Sequence, residues 1–321
     1  MKQEILLKNI LNHLSIRTFK KTVSKKKNKL KIIVSKLPSS PWWGKGAPFY
    51  EDNPCMVKGA IPNQSLLISE RKRMIEVLKA FSVHIFESTF PVQLDEKFLK
   101  HDFIFIRDQF ITDQNGNAVI LNFRNNERKI EKKYIIPILE SLELSIKYLK
   151  NKSGLYAEGG EFYFCKKDNI LFSGSSRNSL LGIDEVATQL SVTEVIVLES
   201  NVFHLDAYFC PILDKDGKIC AIICCLKLLT KKSKIMLSNF ANKKNIPILE
   251  VPVEDSIGTE KKPGSLAVNA LSLPGVLINT NTFSDKKVHK KLNKLGIKHV
   301  VTPLSQYALS GGAIHCCTNE I

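Results

Sequence analysis

Four short segments of the 321-residue sequence gather side chains able to do chemistry. The first is Ile104-Phe105-Ile106-Arg107-Asp108-Gln109-Phe110, an apolar run that leads into an Arg–Asp pair. The second is Glu158-Gly159-Gly160-Glu161-Phe162, where two glycines beside a carboxylate permit close approach of backbone to a ligand. The third is Val202-Phe203-His204-Leu205-Asp206; on a strand His204 and Asp206, two apart, face the same side. The fourth, Ser310 to Thr318, sets the thiol of Cys316 after the Gly311-Gly312 turn. Singly, each has an ordinary explanation: a surface ion pair, a loop, a satisfied core histidine, an inert buried thiol. Together they supply a nucleophile, a base and several carboxylates, the parts that thiol catalysis on a cationic substrate requires.

The elements that must position these groups alternate. Leu66, Leu67, Met74, Ile75, Leu78 and Phe81 fit one helix face, and residues 130–150 read as a long amphipathic helix. Residues 103–106 and 118–122 read as strands; 162–165 and 170–173 read as a hairpin, followed by a helix at 179–190 and a strand at 194–198. Residues 207–213 and 218–226 flank the turn Asp214-Lys215-Asp216-Gly217, a strong hairpin signal. Further strands are expected at 247–251, 275–279 and 298–302, with a Lys-rich helix at 285–295. Short strands alternating with helices define the α/β class, while the hairpins argue against a plain doubly wound parallel sheet.

Charge divides the chain. Residues 1–36 hold 11 of the 47 Lys+Arg and a single acid, Glu4, so +10 of the net +16 belongs to that segment. Residues 1–40 therefore read as a basic N-terminal extension, entered by Ile5, Leu6, Ile10, Leu11 and Leu14 at helical spacing, and residues 41–321 as one catalytic domain. Pro38 to Gly44 marks the linker, and Trp42 and Trp43 are expected to pack it onto the body. The body carries no basic cluster interleaved with aromatics, so no nucleic-acid partner is expected. No apolar run reaches the ~20 residues of a membrane span. Neither G-x-G-x-x-G nor G-x-x-x-x-G-K-[ST] occurs, which disfavours a nucleotide cofactor. The eight cysteines follow no secretory pattern, and a reducing, cytoplasmic setting is expected. Cys210, Cys220, Cys224 and Cys225 lie in apolar strands at spacings that match no standard zinc site and read as buried thiols; no metal is expected.

The ordered set R-D-x-F, E-G-G-[DE], F-H-x-D and G-G-x-x-H-C-x-T resembles the guanidine-modifying (amidinotransferase-type) superfamily, from Asn53-Pro54-Cys55-Met56 to the C-terminus. The resemblance implies the pentein fold, a five-bladed α/β propeller, and an activity like that of arginine deiminase, dimethylargininase or amidinotransferase. It implies Cys316 as nucleophile, His204 as general acid/base and Glu158 as the carboxylate that assists proton transfer. Asp108 and Asp206 would clamp guanidinium nitrogens, Arg128 and Arg177 would meet a substrate carboxylate, and Asp102 would line the site. Two departures stand out: Glu161 where the family often has Asp, and Cys317 beside the expected nucleophile.

A guanidinium is planar and cationic, and paired carboxylates match its N–H fork bidentately. Resonance makes its central carbon a poor electrophile, so orientation toward a thiolate has to supply much of the acceleration. No cofactor is required. Hydrolysis and transfer of the amidino group to an amine share one covalent adduct, so motifs do not separate them; a non-catalytic binding protein of the same fold is the further alternative. A papain-like protease is disfavoured by the order of Cys and His. Because dimethylargininases commonly lack the carboxylate at the position of Asp206, the resemblance favours an unmethylated guanidino acid. Homodimerisation and a weak surface attachment through the basic extension stay open.

Overall fold

The structure, a computed structural model, describes residues 30–43, 53–96, 101–259 and 261–321. The helical pattern and most of the basic run of residues 1–29 lie outside the described residues.

One unit, strand–strand–helix–strand, recurs along the chain. It comprises β3 (Phe110–Thr112), β4 (Asn117–Ile120), α2 (Lys132–Ser141) and β5 (Ser145–Tyr148). It returns as β6 (Phe162–Cys165), β7 (Ile170–Gly174), α3 (Leu180–Leu190) and β8 (Glu194–Leu198). The third copy is β9 (Phe209–Leu213), β10 (Ile219–Cys224), α4 (Lys231–Lys244) and β11 (Ile248–Glu250). The fourth is β12 (Leu271–Leu273), β13 (Val276–Asn279), α5 (Lys286–Lys294) and β14 (Lys298–Val301). In every copy the first two strands pair antiparallel and the helix crosses to a parallel third strand.

The fifth copy is built from both ends of the chain. β1 (Lys31–Ser35), α1 (Gln64–Ala80) and β2 (His84–Ser88) supply the crossover, and β15 (Asn319–Glu320) supplies the missing first strand. Ile32 faces Glu320 and Ile33 faces Asn319 in that antiparallel pair. The result is five three-stranded sheets among the described residues, the α/β propeller expected. One boundary changes: the folded body begins before residue 41, because Lys31–Ser35 is a strand with Ile32, Ile33 and Val34 fully buried. The lysines around this strand made it read as part of the extension.

Local sequence fixes the units. The second strand of each sheet is covered on both faces, so β7 (ILFSG) is buried throughout and reads as a continuous apolar run. Helix starts are capped by Asn63, Ser179, Thr230 and Asp285, whose side chains accept first-turn N–H groups. Asp214 Oδ1 accepts from Asp216 N and Lys218 N in the β9–β10 turn, where Gly217 takes φ +82°. Trp42 is fully buried against Phe105 and Tyr307, which ties the linker to the body as expected.

Three local expectations fail for physical reasons. The helix expected at 130–150 stops at Ser141; Glu143 adopts φ 60°, and the chain continues as the edge strand β5. The run Phe103–Ile106 forms tight turns, His101–Ile104 and Ile106–Gln109, because an apolar run buried on all sides carries no period to separate strand from turn. His204 is extended, but Asp206 sits in the one-turn helix Leu205–Ala207, so the two do not share a strand face.

Candidate active site

The candidate nucleophile, imidazole and carboxylates lie just ahead of the first strands of their sheets. Asp108 is in the turn Ile106–Gln109 that leads into β3, and Glu158 precedes the turn Gly159–Glu161 that leads into β6. His204 and Asp206 lead into β9, and Cys316 sits in the turn Ile314–Cys317 before β15. Segments 46 to 208 residues apart therefore meet at one end of the five sheets.

Their contacts form two buried clusters, one around His204 and one around Cys316, coupled through the charges of Asp206 and Asp108. His204 Nε2 lies 3.0 Å from Glu158 Oε2, and His204 Nδ1 lies 3.8 Å from Asp108 Oδ1. Gly160 N donates to Asp108 Oδ1 at 2.9 Å, and Arg124 N donates to Glu158 Oε1 at 2.9 Å. The thiol of Cys316 lies 3.4 Å from Asp206 Oδ2, which also accepts from His315 Nδ1 at 2.9 Å. Cys316, His204, Asp206, Asp108 and Glu158 are all buried.

Burial and charge set the protonation states. Burial pulls the His204 pKa down, but Asp108, Glu158 and Asp206 outweigh it and raise the imidazole to about 9, so it is protonated at neutral pH. Burial works to protonate Glu158, yet the hydrogen bond and charge of His204 hold it below the ordinary carboxylate range. Asp206 is likewise held ionised against burial by His315 and the charge of His204. Burial lowers the pKa of His315, aided by Arg107, so a neutral ring that donates from Nδ1 fits the ionised Asp206. Burial, Asp206 and Asp108 raise the Cys316 thiol well above its usual value.

The arginines take different places. Arg128 does not stand open toward a substrate carboxylate: Nη1 bonds Asp108 Oδ2 at 2.5 Å, and Nε and Nη2 bond the two oxygens of Glu131 at 2.8 and 2.9 Å. Its remaining reach goes to the carbonyls of Asp102 and Phe105. In this structure Arg128 holds Asp108 and Glu131, where the sequence leads one to expect it at a substrate carboxylate. Arg177 lies at the rim, its guanidinium 4.3 Å over the Phe203 ring, which in turn packs on His204. Asp102 accepts from Ser310 Oγ at 3.3 Å, on the turn ahead of Cys316, and its charge acts on Arg128 and Glu131.

Three participants escaped the motif reading. Glu131 is fully buried beneath Arg128 and accepts from Gln109 Nε2. His315 was visible only as a motif letter. Asn269, two residues ahead of β12, places Nδ2 3.1 Å from Cys316 Sγ; its neighbours Val268 and Ala270 gave no chemical signal. Tyr163 stacks on His315 with ring centroids 4.3 Å apart.

A separate cavity of about 160 Å³ lies behind these turns, bounded by Arg107, Tyr163, Pro211, Ser272, His315 and Glu320. Cys316, His204 and Glu158 do not line it. Arg107 closes it with a 2.6 Å ion pair to Glu320. Among the described residues no cluster of three metal-ligating side chains occurs, and Cys210, Cys224 and Cys225 are buried free thiols. No described helix is long and apolar enough to cross a membrane.

Five strand–strand–helix–strand units with a thiol, an imidazole and carboxylates gathered ahead of their first strands place the chain among the pentein guanidine-modifying enzymes. Residues 57–321 match the family described as N,N dimethylarginine dimethylhydrolase, eukaryotic, and the chain belongs to that family. No curated protein sequence matches it. Among solved structures it resembles the N-terminal domain of ArgZ, an arginine dihydrolase from the ornithine–ammonia cycle in cyanobacteria, bound to substrate; identity is 21%, the TM-score 0.73, and the match covers 91% of this chain and 98% of that one. AgrE, in complex with ornithine and NAD+, matches at 19% identity and TM-score 0.73 over 91% of this chain and 39% of that longer one. A dimethylarginine dimethylaminohydrolase adduct with 4-chloro-2-hydroxymethylpyridine matches at 14% identity and TM-score 0.64, covering 91% and 99%.

Proposed function

We propose that the protein hydrolyses the guanidino group of an arginine-like amino acid through a covalent adduct on Cys316. The observation that carries this is the contact of the thiol with Asp206, whose charge also acts on the imidazole that Glu158 and Asp108 hold. Asp108, Asp206, Glu158 and Glu131 outnumber the His204 imidazolium and the Arg128 guanidinium and leave the site acidic, suited to a planar cation. A guanidinium seated between Asp108 and Asp206 brings its carbon to the sulfur. The same positive charge offsets the acids that keep Cys316 protonated, so binding expels the S–H proton to solvent, His204 being already protonated; the proton is regained when the ureido product leaves. The thiolate adds to the guanidinium carbon. His204, protonated at rest, passes its proton to the departing amine as the C–N bond breaks. Neutral His204 then takes a proton from water, the hydroxide adds to the thiouronium carbon, and collapse expels the thiolate and a ureido product. Glu158 keeps the imidazole oriented and its cation stable.

The ionised Asp206 favours free N–H groups, hence an unmethylated substrate. A methylated arginine is the second reading, favoured by the family match. The test measures ureido product, ammonia and dimethylamine from arginine and from Nω,Nω-dimethylarginine. Faster ammonia release from arginine supports the first reading; faster dimethylamine release supports the second and contradicts the first.

A further inference from the structure

We infer that Asn269 is a catalytic residue, the amide that holds Cys316 as thiolate. The inference rests on Cys316 being the nucleophile. Asn269 is 1% exposed, and both ends of its amide are engaged in the nucleophile's turn. Oδ1 accepts from the backbone N–H of His315 at 3.0 Å, and Nδ2 lies 3.1 Å from Cys316 Sγ. The orientation is determined by chemistry: a backbone N–H only donates, so the oxygen must face His315 and the NH2 must face sulfur.

The sulfur therefore has opposite partners on two sides. Asp206 Oδ2, at 3.4 Å, can only accept, so it binds the S–H of the neutral thiol. When the proton leaves, that contact becomes a repulsion between two anions, and Asp108 adds to it. Asn269 Nδ2 is the side-chain donor directed at the sulfur among the described contacts, beside the backbone N–H of Ala313, and its hydrogen bond strengthens as the acceptor becomes charged. Asp206 thus favours thiol and Asn269 favours thiolate; a bound cation shifts the balance toward the second.

The loop is built to hold this amide. Asn279, at the end of β13, donates from Nδ2 to Ala267 O at 3.1 Å, and Asn269 N donates to Leu266 O. Leu266 adopts φ 52°, a left-handed conformation uncommon for a non-glycine residue. Asn has the reach to bond His315 N and Cys316 Sγ at once. An Asp would keep the first bond and set a third carboxylate against the sulfur.

The test uses the full chain with Asn269→Ala and the near-isosteric Asn269→Asp. The rate of Cys316 alkylation by iodoacetamide is followed against pH without substrate, and the labelled cysteine is located by fragmentation mass spectrometry, which separates Cys316 from Cys317. A hydrogen bond to a charged group is worth about 10- to 100-fold, so the alkylation midpoint should rise by about one to two pH units in both variants. kcat should fall by a similar factor, with KM changed less than about 3-fold. A midpoint equal to wild type in Asn269→Asp, or label arriving on Cys317 in the wild type, overturns the inference. The readout needs no turnover, so it is separable from the proposed reaction: a Cys316→Ala variant with full activity would sink that reaction whatever the alkylation profiles show.

Discussion

His204 and Glu158 meet at 3.0 Å although they precede the first strands of two different sheets. The imidazole gains its high pKa from this contact together with Asp108 and Asp206, against the effect of burial. Glu158→Gln keeps the shape and removes the charge. The pKa of His204 should then fall from about 9 toward its ordinary 6.5, and the alkaline limb of kcat/KM should move to lower pH. At neutral pH kcat should drop by about 100-fold or more, by loss of acid catalysis. An unshifted alkaline limb would remove Glu158 from this role.

Gly160 is fixed by what surrounds it. A Cβ there would stand 2.5 Å from His204 Nδ1 and 2.9 Å from Asp108 Oδ1. Both atoms belong to buried side chains tied down by hydrogen bonds, so neither can retreat. Gly160→Ala should reduce kcat/KM by about 100-fold, the scale of a 1 Å misplacement of reacting groups. Steady-state kinetics with circular dichroism as a folding check tests this; near-normal turnover would mean that His204 has room the structure does not show.

Asp206 serves both sulfur and substrate. Asp206→Asn removes a like charge from beside Cys316, so iodoacetamide should alkylate that thiol at lower pH than in wild type. The same change takes one carboxylate from the cation, and KM for arginine should rise by about 10-fold or more. Opposite movements of thiol pKa and substrate affinity are the expected signature. Unchanged arginine affinity would argue that Asp206 orients His315 only.

Stability should fall on both sides of neutrality. His204 has a folded pKa of about 9 against 6.5, so its contribution is complete below pH 6.5 and is lost as pH rises through 9. His299 lies 3.1 Å from His289 and is pushed down to about 4 by burial and that neighbour. The unfolded chain takes up this proton near pH 6.5, so stability present above that value is lost as pH falls toward 4. Urea unfolding at pH 4.5, 7 and 9.5 should show a maximum in the middle. His299→Gln should flatten the acid side and Glu158→Gln the alkaline side. A His299→Gln acid limb as steep as wild type would contradict the assignment.

Much of the site was legible because its residues carry chemistry in short ordered motifs. Cys316, His204, Glu158, Asp108 and Asp206 were named from sequence and meet in the structure. The hairpins at β6–β7 and β9–β10 were legible from turn residues and β-rich runs. What escaped depends on long-range pairing. β1 has a lysine-rich approach and is recognisable only through its partner at the other end of the chain. β5 continues the apolar spacing of α2, so nothing local separated strand from helix. Asn269 is polar but surrounded by apolar residues, and its meaning lies in a sulfur 47 positions away. The fate of Arg128 likewise depends on Glu131, three residues on, whose burial the sequence did not announce.

The most direct test of the central claim is a covalent one. The wild-type protein, quenched in acid during turnover of arginine, should carry an amidino group on Cys316, located by fragmentation mass spectrometry. Cys316→Ala should carry no adduct and release no ureido product. Turnover that persists in Cys316→Ala, or an adduct on Cys317 in its place, would contradict the account.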